Sequence, residues 1–125
     1  MHFECLKKWL GPKVKRKESE NLISMFWETF ECEICKQAYP NYFKVENGQL
    51  YRLVDFEQVL EGPIKHRGGH YLVLESLSLE NNSSRSIHIL SFTSDKTAYT
   101  MGRGHDSEVE VDDISVSRNH ATIKY

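Results

Sequence analysis

The chain has 125 residues, 39% hydrophobic, 27% charged and 11% aromatic, with a net charge of −2. That size suits one ordinary domain or two small ones; the balance excludes a disordered polar chain, and near-neutral charge gives no electrostatic reason to expect a nucleic-acid partner. The longest apolar runs, such as Tyr71-Leu72-Val73-Leu74, fall far short of the ~20 residues of a membrane-spanning helix, and the N-terminus lacks the apolar stretch of a secretory signal.

The first segment, residues 1–43, holds every cysteine and both tryptophans. Leu6, Trp9 and Leu10 recur at i, i+3 and i+4, which predicts a short helix after Cys5, stopped by Gly11-Pro12. Lys7, Lys8, Lys13, Lys15, Arg16 and Lys17 follow one another with no acid among them. This run reads as a solvated loop, with a nuclear-localisation or polyanion-binding tract as the alternative. A second apolar group, Leu22, Ile23, Phe26, Trp27 and Phe30, has helical spacing at its start and leads into Cys32. An odd count of three cysteines, two of them in Cys-x-x-Cys, points to metal or free thiols rather than disulfides. With no secretion signal, a cytoplasmic or nuclear setting follows.

Residues 44–68 read as a connector. Asn47-Gly48 is a hairpin-turn dipeptide between Phe43 and Val45 on one side and Leu50, Tyr51 and Leu53 on the other. Gly62-Pro63 and Gly68-Gly69 mark breaks. Beyond them the chain reads as strands: His70 to Leu79, a polar turn at Asn81 to Ser84, Ile87 to Phe92, Ala98 to Met101, a short Val109-Glu110-Val111, and an alternating Ala121 to Tyr125. Short strands at this spacing predict an antiparallel sandwich. The last strand runs to Tyr125 with the sheet unfinished, so the chain is expected to be part of a longer protein.

Gly102-Arg103-Gly104-His105-Asp106 and Ile114-Ser115-Val116-Ser117-Arg118-Asn119-His120-Ala121 place two loops at strand ends. Side by side, they would gather two guanidinium groups, a hydroxyl and several backbone N–H donors at one spot. A dianionic phosphate requires that chemistry, because charge-assisted bonds are strong and a guanidinium matches two phosphate oxygens at once. A hydrolase triad of Ser117, His120 and Asp113 is not favoured, since nearness in sequence is no evidence of triad geometry and no nucleophile elbow is present. Gly102-x-Gly104 is too short for a dinucleotide fingerprint.

Gly102-Arg103, a spacer holding Asp112-Asp113-Ile114, and Ser117-Arg118-Asn119-His120-Ala121 stand in the order and spacing of a known pattern. On them, residues 69–125 resemble the first half of a forkhead-associated (FHA) domain. The resemblance implies recognition of phosphothreonine on a partner protein, with Arg103 and Ser117 on the phosphate and Arg118 assisting. It casts Gly102, Asn119 and His120 as supports of the site, His120 holding the Ser117 loop by hydrogen bonds.

His2-x-x-Cys5 and Cys32-x-x-Cys35 are pairs at metal-ligand spacing, because two intervening residues let both side chains converge on one tetrahedral centre. The four could serve one zinc ion as a Cys3His site, or the cysteines could be buried small hydrophobes. With Cys5-Leu6 leading to Trp9, and with Tyr39-Pro40 after the second pair, residues 1–40 resemble the second half of a RING-CH variant RING finger. That resemblance implies a zinc-binding ubiquitin ligase that docks a ubiquitin-conjugating enzyme. His2 and Cys5 would share one ion, and Cys32 and Cys35 another, with ligand pairs lying before Met1.

The expected fold is therefore mainly β: a partial antiparallel, FHA-like β-sandwich over 69–125, preceded by the 44–68 connector and a partial zinc-finger segment with a short helix over 1–43. The expected function is phosphothreonine-dependent protein–protein interaction. The alternative is a RING-CH-type ubiquitin-protein ligase whose FHA domain recruits phosphorylated substrates; no enzyme activity is assigned to the chain alone.

Overall fold

The computed structural model describes residues 2–56, 69–77 and 84–125. The breaks at Gly62-Pro63 and Gly68, the end of the strand expected to reach Leu79, and the turn from Asn81 to Ser83 lie outside the described residues. Helix α1 (Phe3–Leu10) buries Leu6 and Leu10 on one face. It gives way to a 3-10 turn at Gly11–Lys13, where Pro12 has no N–H to continue the helical ladder. Among the described residues, no helix is long and apolar enough to cross a membrane.

The strands are β1 (Lys15–Glu18), β2 (Leu22–Trp27), β3 (Tyr42–Lys44), β4 (Leu50–Arg52), β5 (His70–Glu75), β6 (Arg85–Phe92), β7 (Ala98–Gly102), β8 (Val109–Glu110) and β9 (Ala121–Lys124). The fold is mainly β, as the strand-rich sequence predicts. One antiparallel sheet has the order β1-β2-β6-β5, a second sheet the order β8-β7-β9, and β3 and β4 form a hairpin. β7 and β9 are antiparallel while β7 and β8 run parallel, a departure from the all-antiparallel expectation. The hairpin turns at Asn47-Gly48 as expected: Gly48 has φ +84° and the Gln49 N–H donates to the Asn47 side-chain oxygen at 2.9 Å. On its far strand Arg52 forms an ion pair with Glu75 of β5 and donates to the Tyr42 hydroxyl at 2.8 Å.

Two readings of the first segment need correction. Leu22 to Trp27 is not helical: Ile23, Met25 and Trp27 bury one face of β2, while Leu22, Ser24 and Phe26 take the other. Period two prevails because β2 lies in the sheet interior, hydrogen-bonded to β1 and β6, and must bury side chains on both faces. The basic run is not a loop either. It spans the last turn of α1, the 3-10 turn and the edge strand β1, all four of whose residues are exposed. A strand at a sheet edge is held by its backbone ladder, so charged side chains on it cost little.

Strand β6 is the axis of the molecule. Ile87 and Ile89 join Leu6, Leu10, Ile23, Met25, Trp27, Phe30 and Leu53 in a core beneath the helix and the hairpin. On the opposite face, Leu90 and Phe92 meet Tyr99 and Val109 from the three-stranded sheet. Two apolar clusters are thus hung on one strand, each fully buried aliphatic or aromatic side chain contributing about 1.5–3 kcal/mol. The Tyr99 hydroxyl donates to the Ser91 carbonyl at 2.6 Å and lies 2.9 Å from that of Asn21, tying β7 to β6 and to the turn that enters β2.

His88 sits among these apolar neighbours, 4% exposed, its Nδ1 hydrogen-bonded to the Ser24 hydroxyl at 2.8 Å. Its Nε2 has no hydrogen-bond partner among the described residues. Burial lowers its pKa below the ordinary histidine value, because the charged ring would lose its hydration. A base whose pKa is lower in the folded state leaves the unfolded chain binding more protons as pH falls. Stability from this group is therefore whole above about pH 6.5 and declines as pH drops below it, until the folded-state pKa is passed. Thermal melts between pH 7.5 and pH 5 should show this decline, and His88→Gln should flatten it; an unchanged slope would remove His88 as its source.

Candidate functional site

Strand β7 ends at Gly102, and the chain turns out of the sheet there. The Arg103 N–H donates to the Ser117 carbonyl at 2.9 Å and the Gly104 N–H to the Arg118 carbonyl at 3.1 Å. Two more bonds fasten the flanks: the Val111 N–H donates to the Gly102 carbonyl, and the His120 N–H to the Met101 carbonyl, each at 2.9 Å. Residues 102–104 and 117–120, separated in the chain by β8 and its loops, are thus zipped backbone to backbone.

That contact depends on Gly102. A Cβ there would fall inside the van der Waals shell of the Arg118 carbonyl, and 2.9 Å from the Ser107 Oγ. Because the first obstacle is backbone, no rotamer change can relieve it. Ser107, buried between the loops, donates from its hydroxyl to the same Arg118 carbonyl at 2.7 Å. Sequence reading missed Ser107: a serine just before an alternating strand carries no signal, and only the folded loops reveal its acceptor.

The result is an exposed surface bearing Arg103, Ser117, Arg118, Asn119 and His120. Among the described residues, neither Arg103 nor Arg118 has a carboxylate partner. The His120 Nδ1 accepts the Ser117 N–H at 3.3 Å, so its neutral ring carries its proton on Nε2. Asn119 makes no side-chain hydrogen bond among the described residues. Upstream, Asp113 accepts from both the N–H and the hydroxyl of Ser115 at 2.8 and 2.6 Å. Those bonds from Ser115 hold its carboxyl below the usual aspartate range, and the Val116 N–H closes the turn on the Asp113 carbonyl at 3.0 Å. The segment entering Ser117 is therefore shaped by its own side chains.

The cysteine and histidine pairs lie elsewhere. His2 is the N-cap of α1 and Cys5 stands exposed in its first turn. Cys32 and Cys35 share a tight turn, closed by the Lys36 N–H on the Cys32 carbonyl and the Cys32 N–H on the Gln37 carbonyl, both 2.9 Å, with Lys36 at φ +59°. Backbone N–H groups of Cys35 and Ile34 point at the Cys32 sulfur, and with the Cys35 thiol and Tyr39 hydroxyl they lower its pKa to about 7. That turn has the donor set of a thiolate ligand. Among the described residues, no three His, Cys, Asp or Glu side chains gather where one metal ion could bind.

Gly102→Ala should destabilise the fold by about 2 kcal/mol or more, since the clash is with backbone. Urea unfolding of the variant checks this, and a cost under about 0.5 kcal/mol would mean the loops are not pressed together as described.

No curated protein and no solved structure matches this chain. The model of one family does: residues 99–125, from β7 through both loops to the end of β9, match the FHA domain, and this part of the chain has the character of a phosphopeptide-binding interaction module.

Proposed function

We propose that the chain is a phosphothreonine-dependent interaction module whose partner is a threonine-phosphorylated protein. The observation that carries this reading is the backbone zipper between 102–104 and 117–118, which draws together the loops bearing Ser117 and two exposed arginines that have no carboxylate partner among the described residues. Arg103 and Ser117 take the phosphate and Arg118 assists. A phosphate carrying close to two negative charges gains charge-assisted bonds from each guanidinium, and an arginine already paired to an acid would have to surrender that pair first. Gly102 and His120 act on the shape of the site: the glycine lets the loops approach, and the histidine holds the Ser117 N–H. Asn119, exposed at the rim, is assigned to support by its position in the motif.

Fluorescence anisotropy of a degenerate phosphothreonine peptide, against its unphosphorylated twin, tests the reading. Binding is expected to require the phosphate, and Arg103→Ala should weaken it by about 1.5–3 kcal/mol, the worth of a hydrogen bond to a charged group. Equal affinity for both peptides, or an undiminished Arg103→Ala variant, would overturn it.

A second reading is favoured by the Cys32–Cys35 turn alone. In it the parent protein is a RING-CH-type ubiquitin ligase that docks a ubiquitin-conjugating enzyme, with the phosphothreonine reader selecting substrates. Cys32 and Cys35 would hold one zinc ion, and His2 and Cys5 another, each pair supplying half of a tetrahedral set. Cobalt(II) added to the chain should then give thiolate charge-transfer absorption that Cys32→Ser and Cys35→Ser each reduce. A flat spectrum would remove the metal-binding part of this reading.

A further inference from the structure

The loop between β2 and β3 carries two thiols side by side. At its base Glu31 and Ala38 form a bridge, the Cys32 N–H donates to the Gln37 carbonyl at 2.9 Å, and the Tyr39 N–H donates at 2.8 Å to the carbonyl of Phe30, a core residue. At its tip the Lys36 N–H donates to the Cys32 carbonyl at 2.9 Å, closing one helix-like turn. Side chains three residues apart on such a turn are neighbours, about 5–6 Å from Cβ to Cβ, and the Cys35 thiol is hydrogen-bonded to the Cys32 sulfur. The same sulfur receives the backbone N–H groups of Cys35 and Ile34 and the Tyr39 hydroxyl. Neither thiol is enclosed: Cys35 is exposed, Cys32 is partly exposed, and Ile34 between them is 94% exposed. Among the described residues, no third His, Cys, Asp or Glu completes a metal-binding group with the pair.

We infer that Cys32 and Cys35 are a redox-active dithiol that exchanges with low-molecular-weight disulfides, Cys32 attacking and Cys35 resolving. The deprotonated Cys32 sulfur attacks one sulfur of a disulfide RSSR; a Cys32–SR bond forms, the RS–SR bond breaks and one RS⁻ leaves. The Cys35 sulfur then attacks that of Cys32, the Cys32–Cys35 bond forms and the second RS⁻ leaves. The two cysteines lose two electrons and two protons, and the small disulfide takes up both as two RSH. Cys32 is the attacking member because the N–H groups aimed at its sulfur stabilise negative charge there, when it attacks and when it leaves in the reverse step. A disulfide uses these two sulfurs alone, whereas a tetrahedral zinc set requires two further ligands. The inference is independent of the phosphothreonine reading and competes with the zinc reading for the same two sulfurs.

The test treats the 125-residue chain with oxidised glutathione, quenches it with an alkylating reagent and maps its cysteines by mass spectrometry. A Cys32–Cys35 disulfide should form, dithiothreitol should reverse it, and Cys5, an exposed thiol of the same chain, should stay alkylated. Cys35→Ser should trap glutathione on Cys32, about tenfold faster or more than Cys32→Ser takes it up on Cys35. Treatment with a chelator beforehand should leave the rate of oxidation unchanged. The proposal is overturned if no disulfide joins Cys32 to Cys35, if glutathione spreads equally over Cys5, Cys32 and Cys35, or if Cys35→Ser and Cys32→Ser react alike. Oxidation that begins only after chelation would overturn it too, in favour of the zinc reading.

Discussion

Everything in this molecule is referred to a strand buried on both faces. β6 has no solvent side from Ile87 to Phe92, so each of its residues must satisfy a neighbour. Odd positions Ile87 and Ile89 hold the helix and hairpin layer, and even positions Leu90 and Phe92 hold the three-stranded sheet. A slip of one residue would exchange the two sets and leave both cores mismatched, which is why the register is strongly specified. The single ionisable group on this stretch, His88, is tolerated because Ser24 across the ladder supplies a hydrogen bond to one of its nitrogens. Tyr99 then transmits the placement to β7, its hydroxyl reaching the Ser91 carbonyl of β6 and that of Asn21 just before β2.

From β7 the argument passes to the loops. Shape and charge are divided between different atoms there. The approach of the two loops is a matter of backbone hydrogen bonds and a missing Cβ at Gly102, with Ser107 capping the carbonyl of Arg118. Because backbone and Ser107 hold the loops, the side chains of Arg103, Ser117 and Arg118 enter no hydrogen bond or ion pair among the described residues. Free side chains on a rigid support are what recognition asks for, since little ordering is left to be done on binding.

The charges separate along the sequence: cations gather on α1, the 3-10 turn and β1, and Glu108, Glu110, Asp112 and Asp113 lie in and around β8, yet Lys13 and Lys15 line one cleft with Glu110 and Asp112. Lys96 draws Glu108 into an ion pair, and Thr100 and Glu108 exchange bonds at 3.1 and 3.2 Å, so part of the acidic segment is structural. A net charge of −2 conceals this separation entirely. Only its arrangement in space gives either group a direction.

Much of the third segment was legible in advance. Branched residues, turn dipeptides and alternation located β5, β6, β7, β8 and β9, and Asn47-Gly48 located the hairpin, because these signals are local. The pairing of Gly102-Arg103 with Ser117-Arg118 was legible as a motif. What the sequence by itself determined was which short segments could be strands, where the chain must turn, and which residue types could meet a phosphate. Only the tertiary structure decided that Leu22 to Trp27 is a strand rather than a helix, since its spacing satisfies both periods and the sheet beside it chose between them. It also decided that the basic run spans a helix end and an edge strand, and that Ser107 supports the site. Each of these depends on contacts between residues far apart in the chain, and local pattern carries no information about distances of that kind.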